Sequence, residues 1–220
     1  MLANERLILA LPKGRLLTEA LPLVRRAGIA LEPAFDDPDE RQLRFRTDDE
    51  ELDVIRVRAF DVPTYVAFGA ADLGVAGSDV MMEFDYPEIY APLDLGIGAC
   101  RLVVAGPKDD VRRDDLGRLS RIRIATKYPG ITRQYFAARG VQAECITLNG
   151  AVELAPGLGL SRQIVDLVQT GSTLKANNLV EIEQIAAITA RLIVNRTALK
   201  TRTEQVKSWI QRFREAADAG

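Results

Sequence analysis

The stretch Ile164–Leu174, IVDLVQTGSTL, sets one carboxylate inside an apolar run and then opens into hydroxyls around a glycine. Backbone N–H groups of a tight glycine turn at a helix start can cradle a phosphate. Neighbouring hydroxyls add donors, and the helix N-terminus adds partial positive charge. Thr170, Gly171, Ser172 and Thr173 are therefore a candidate phosphate loop, with Asp166 placed to accept from sugar hydroxyls. An ordinary polar turn with a structural Asp reads at least as well on these residues alone, because short Gly/Ser/Thr turns are common.

Three further places have the same character. In LPKGRL a strand-like run ends and Lys13, Gly14 and Arg15 stand where a helix begins. A helix N-terminus prefers anions, so cations there suggest that an anionic ligand offsets their cost, the plain alternative being two snorkelling surface cations. In GVAGSDV, Gly77, Ser78 and Asp79 again follow a strand and open a helix, although a simple N-cap accounts for Ser78 or Asp79. In ATKYPG, Lys127 stands at a strand end. Open α/β sheets bind ligands outside the carboxyl ends of their strands, so the coincidence of four such motifs outweighs any one.

Composition narrows the chemistry. The 220 residues contain no histidine, which excludes a histidine base, a Ser-His triad and every His-ligated metal site. Carboxylates, Lys and Arg, backbone dipoles or a substrate-borne metal remain. The net charge of −2 gives no general nucleic-acid or membrane surface. Cys100 and Cys145 lie in strand-like surroundings and read as reduced and buried. The acidic runs Asp36–Glu40 and Asp48–Glu51 read as solvated loops, since neither has calcium-loop spacing. No apolar run is long enough to span a bilayer, and the N-terminus reads as a first strand in place of a signal peptide, so a cytoplasmic protein is expected.

The elements that must position these residues alternate between strand-like and helix-like patterns, which favours α/β. Arg6–Leu11 reads as a buried strand, and Leu16, Leu17, Ala20, Leu23, Val24 and Ala27 have helical spacing up to Gly28. RQLRFRT and ELDVIRVRAF form an expected hairpin, and Asp61 an expected cap for a helix with Pro63 in its first turn. Near the end, Val206, Trp209, Ile210 and Phe213 make one apolar helix face, with Thr201 and Glu204 at capping-box spacing. Two α/β lobes with mixed sheets around a central cleft fit this rhythm, with residues 1–91 and 178–220 in one lobe and 92–177, carrying the loop, in the other.

Taken together, LALPKGRL, RAFDVPTYVAFGAADLGVAGSDV, LDLGIGACRLVVAG, RIATKYP and ELAPGLGLSRQIVDLVQTGSTLKANNL resemble the ATP phosphoribosyltransferases that begin histidine biosynthesis. The resemblance covers almost the whole chain, in order. It implies transfer of a phosphoribosyl group from 5-phosphoribosyl 1-pyrophosphate to N1 of ATP, with release of pyrophosphate and with Mg2+ carried mainly by substrate phosphates. It also implies lobes resembling type II periplasmic binding proteins. On the family pattern Thr170–Thr173 hold the 5-phosphate, and Asp166 and Glu153 face the ribose hydroxyls. Lys13 and Arg15 lie near the polyphosphates, and Arg41 in ERQLRF reaches the leaving pyrophosphate. The chain looks like the short form, which lacks a C-terminal regulatory domain. That form is a homodimer alone and a hetero-octamer with a histidyl-tRNA-synthetase-like regulatory subunit.

Two other classes compete. A two-lobe small-molecule binding or sensor protein has the same rhythm, but neither a secretion signal nor a helix-turn-helix is evident. Nucleobase phosphoribosyltransferases usually place two adjacent acids before the Thr-Gly loop, whereas Leu167 follows Asp166 here.

Overall fold

The computed structural model of the chain describes residues 6–37, 39–108 and 120–219. It divides into two compact units, Met1–Gly98 with Thr189–Gly220, and Ala99–Ile188.

In the first unit, strands β1 (Leu7–Pro12), β2 (Arg44–Arg46), β3 (Leu52–Val57), β4 (Leu73–Gly77), β5 (Ile89–Asp94) and β11 (Ala190–Asn195) form a mixed sheet ordered β2-β3-β1-β4-β11-β5. β1 is parallel to β3 and β4, whereas β2 and β11 run antiparallel to their neighbours. Alternation along β1 explains why both faces are covered. Leu7, Leu9 and Leu11 join a core with Leu23 and Val24 of α1 (Arg15–Arg26) and Trp209 and Phe213 of α8 (Thr203–Asp218). Ala10 joins the opposite core with Val62 and Val66 of α2 (Val62–Ala67) and Ile193. Leu9, Leu11 and Leu23 are essentially inaccessible, each contributing on the order of 1.5–3 kcal/mol. The short α3 (Ser78–Phe84) follows β4.

The second unit holds β6 (Cys100–Pro107), β7 (Arg121–Thr126), β8 (Gln142–Thr147), β9 (Gln163–Val168) and β10 (Leu179–Ile188), ordered β10-β6-β9-β7-β8. β7 is parallel to β8 and β9, and β6 is antiparallel to β9 and β10. The helices are α4 (Pro129–Ala137), α5 (Leu154–Gly157) and α6 (Ser172–Ala176). Both units are thus α/β with mixed sheets.

Several local expectations need correction. The units part at Gly98/Ala99 and Ile188/Thr189, not at 91/92 and 177/178, because β5 pairs with β11 and β10 pairs with β6. Thr201 closes α7 (Arg196–Thr201) and donates to the Thr197 carbonyl at 2.9 Å, so it caps nothing; α8 begins after Arg202. Asp61 sits at the N-cap of α2 without a side-chain capping bond, with Pro63 in the first turn as expected. Cys100 and Cys145 are outside any disulfide and half-buried, not fully enclosed. Among the described residues, no helix is long and apolar enough to cross a membrane.

Candidate functional site

Because β7, β8 and β9 are mutually parallel, their carboxyl ends share one edge of the second sheet. β9 runs into Gln169 and Thr170, and then Gly171 takes φ 80°, ψ 1° immediately before α6. That left-handed backbone costs glycine nothing and strains any residue with a β-carbon. Thr170 Oγ1 and Ser172 Oγ lie 3.0 Å apart, and the Ser172 amide donates to Thr170 Oγ1 at 3.4 Å. Thr170, Ser172 and Thr173 are exposed, while Leu174 is buried and anchors the turn. The first-turn N–H groups of a helix have no carbonyl behind them to accept. The loop therefore presents hydroxyls and amides together, as a phosphate requires.

Asp166 shares its face of β9 with Ile164 and Val168, which pack against Val152, Ala155 and Leu174. It is half-buried, and its Oδ1 accepts from the Leu167 amide at 2.8 Å. Glu153 is half-buried at the N-cap of α5. It lies between the buried Val152 and Ala155, so its segment packs over the sheet face that carries Asp166. Ala151 just before it has φ 51°, a left-handed conformation costing a non-glycine residue about 1–2 kcal/mol. Lys127 follows β7 at the same edge. The buried Thr126 ties that edge together, its Oγ1 donating to the Val165 carbonyl at 2.7 Å and accepting from the Tyr128 amide at 2.9 Å.

In the first unit, β1, β3 and β4 are likewise parallel through β1, so Lys13, Gly14 and Arg15 share an edge with Gly77, Ser78 and Asp79. Gly14 has φ 84° and ψ −153° at the N-cap of α1, and the Lys13 amide is tied to the Val57 carbonyl at 2.7 Å. Lys13 and Arg15 are exposed, Arg15 standing 3.8 Å from Glu19 one turn along the helix. Asp79 is buried, and its Oδ1 fills the space where a β-carbon of Gly77 would sit. The Ser78 amide donates to the Thr189 carbonyl at 2.9 Å. Arg41 is exposed and precedes β2; the Arg56 amide donates to the Leu43 carbonyl at 2.8 Å, which puts Arg41 beyond the carboxyl end of β3. Each unit thus gathers its own expected residues at one sheet edge, cations in the first and the hydroxyl loop with two carboxylates in the second.

Two arginines escaped the sequence reading. Arg58 is exposed directly after β3, at the edge that carries Lys13. Arg101 of β6 reaches the Gln169 carbonyl at 3.4 Å and pairs with Glu181 at 2.6 Å, fastening the entry to the hydroxyl loop. The Glu181 hydrogen bond and charge hold the Arg101 guanidinium above its ordinary range. The signal available in the sequence was an arginine heading the otherwise apolar strand CRLVVAG.

The family model described as "HisG: ATP phosphoribosyltransferase" matches residues 58–215. An ATP phosphoribosyltransferase of Rhodospirillum rubrum is 66% identical over 215 residues, covering 98% of this chain and 95% of the relative. The chain belongs to the ATP phosphoribosyltransferase family. Its reaction is therefore a phosphoribosyl transfer, the first step of histidine biosynthesis. The enzyme of that name from Paramagnetospirillum magneticum is also 66% identical, over 216 residues, 98% of this chain and 99% of the relative. Among solved structures, a chain of the "ATP phosphoribosyl transferase (HisG:HisZ) complex from Thermotoga maritima" superposes with TM-score 0.81 at 35% identity, covering 97% of this chain and all of that one. The Bordetella pertussis BvgS VFT2 domain superposes with TM-score 0.56 at 12% identity, covering 97% of this chain and 92% of that one, which shows a shared fold alone. Family membership decides against the binding-protein and nucleobase-transferase alternatives.

Proposed function

We propose that the chain joins C1 of 5-phosphoribosyl 1-pyrophosphate to N1 of ATP using the residues gathered at the two sheet edges. Thr170, Gly171, Ser172 and Thr173 take the 5-phosphate, Asp166 and Glu153 the ribose hydroxyls, and Lys127 a neighbouring anionic group. Lys13, Gly14 and Arg15, with Gly77, Ser78 and Asp79, bind the polyphosphate side, and Arg41 meets the leaving pyrophosphate. The observation that carries this reading is the left-handed Gly171, set between two hydroxyls 3.0 Å apart at the start of α6.

The chemistry suits a chain without histidine. The N1 lone pair of adenine is already nucleophilic, so no protein base has to create it. The barrier lies in charge, because two polyanions meet while pyrophosphate departs. Arginines and Mg2+ stabilise that departing charge electrostatically. Mg2+ enters as substrate, carried by the pyrophosphate, in keeping with an ion that retains its waters and takes few protein ligands.

The complex named for the Thermotoga maritima protein supports a partner of the same kind here. The reading is a homodimer alone and a hetero-octamer with a histidyl-tRNA-synthetase-like regulatory subunit, acting in the cytoplasm.

The test is pyrophosphate release with Mg2+ in the presence of ATP alone, 5-phosphoribosyl 1-pyrophosphate alone, and both. Release only with both is expected. Release from the sugar donor alone would reduce ATP to a bystander. Arg41→Ala should lower turnover about 10²–10³-fold, by analogy with loss of one oxyanion donor, with the fold intact. Unchanged turnover in the folded variant would remove Arg41 from the reaction.

A further inference from the structure

Arg56 lies in β3, and all of its described hydrogen bonds outside the strand pairing go to the segment that carries Arg41. Its Nη1 donates to the Phe35 carbonyl at 2.9 Å and its Nη2 to the Glu40 carbonyl at 3.4 Å. Its main-chain amide donates to the Leu43 carbonyl at 2.8 Å. The carbonyls of Glu40 and Leu43 flank the pair Arg41–Gln42, so one residue grips the chain on both sides of Arg41. The guanidinium is itself held by rings, 5.2 Å from the Phe35 centroid and 5.0 Å from that of Phe45. Those two rings meet edge to face at 4.9 Å and are buried. A flat, charged group packed against two aromatic rings and bonded to two carbonyls is restricted in its rotamers, which sets the direction of its two donors.

Among the described residues, the other side-chain contacts of the region do not bracket Arg41 in this way. Gln42 bonds Glu32, the Arg44 carbonyl and, through its amide, Glu40. Arg44 is engaged with Asp53 at 2.7 Å. Arg44 thus ties the start of β2 to the buried Asp53, whereas among the described residues Arg56 is the one whose side chain bonds the Glu40 carbonyl next to Arg41. Arg41 is exposed, and a long exposed side chain can meet a leaving group reproducibly only if its backbone is held.

We infer that Arg56 is a positioning residue for the transfer reaction, acting through Arg41 by clamping the Glu40 and Leu43 carbonyls. The inference rests on the proposed role of Arg41. It assigns Arg56 no contact with substrate. Displacement of a catalytic group by about 1 Å can cost about a hundredfold in rate. Loss of the clamp should accordingly lower kcat between about tenfold and about a hundredfold, with little change in KM.

The experiment is a double-mutant cycle on pyrophosphate release with Arg56→Gln, Arg41→Ala and the double variant, together with urea unfolding of each. Arg56→Gln is expected to lower kcat, and the same change in the Arg41→Ala background to have almost no further effect, because there is then no guanidinium to position. Arg56→Lys, which cannot give two planar donors, should recover the stability but not the full kcat. Amide hydrogen exchange over residues 39–43 should quicken in Arg56→Gln while the β1 amides keep their protection. Additive losses in the double variant would overturn the clamp and leave Arg56 a structural residue. An Arg41→Ala enzyme with wild-type turnover would instead overturn the role of Arg41, and with it the inference. Unchanged kcat in folded Arg56→Gln, with Arg41→Ala impaired, would overturn the inference alone.

Discussion

A β-carbon built on Gly77 would stand 2.1 Å from Asp79 Oδ1. The backbone there is ordinary, at φ −66°, so the space and not the conformation requires glycine. Asp79 is folded back over its own helix start, where the first-turn amides favour a negative charge. Gly77→Ala should destabilise the chain by about 1–3 kcal/mol through overpacking. Urea unfolding would show a smaller cost when Asp79→Ala is already present. Equal costs in both backgrounds would mean that Asp79 is not the obstacle. At Tyr135 the relevant quantity is a proton. Burial first, and then the neighbouring Glu183 carboxylate, pushes the phenol above its ordinary value of 10.0. With the folded-state pKa raised, the phenol's contribution is complete below the unfolded value and is lost as pH rises towards the folded one. The urea midpoint of the wild-type chain should therefore fall more steeply above pH 10.0 than that of Tyr135→Phe. Parallel curves would place the phenol in solvent.

The elements explain how residues distant in sequence arrive together. Parallel pairing of β7 with β8 and β9 lines up Lys127, the segment of Glu153 and the hydroxyl loop along one edge. Thr126 then joins β7 to β9 from inside, with Thr132 of α4 a further 3.4 Å from its hydroxyl. Thr126→Val preserves shape and removes the hydroxyl, leaving the Tyr128 amide buried without its acceptor. That should cost about 1–3 kcal/mol, read as a lower urea midpoint. Thr126→Ser should retain most of the stability. If Val and Ser variants unfold alike, the hydroxyl is not what joins the strands. Element boundaries were only partly legible. The alternation of apolar residues announced β1, β3 and β9, but pairing partners are set by contacts across tens of residues. β10 is assigned to the second unit by its ladder with β6, by Leu179 in that unit's core and by the Arg139–Glu183 ion pair.

For the whole molecule, the two units draw on different stretches of chain, the first being closed by the C-terminal Thr189–Gly220. Its last helix, α8, buries Val206, Trp209, Ile210 and Phe213 in the core of that unit, so this apolar face is already occupied and gives no docking surface. On the proposed reading, feedback inhibition by histidine, the end product of the pathway, requires the regulatory partner. Histidine should leave pyrophosphate release by the isolated chain unchanged, and should inhibit once the regulatory subunit is added and the sedimenting mass has risen. Inhibition of the isolated chain by histidine would place a regulatory site on this chain itself.

Read alone, the sequence determined the absence of histidine chemistry, the α/β rhythm and the hydroxyl loop around Gly171, because composition and local periodicity are local properties. It also carried the family's motifs at their spacing, and these bring Arg41 to notice when no periodicity does. The tertiary structure alone decided which strands lie side by side, where the units part, and that Asp79 fills the space above Gly77. It alone also revealed Arg56 gripping the carbonyls beside Arg41 and Arg101 fastening the Gln169 carbonyl. An arginine in a strand reads as a surface charge until its donors have partners, and those partners are backbone carbonyls, which no residue type announces. Hydrogen bonds to main-chain atoms depend on where the chain passes, and only folding sets that.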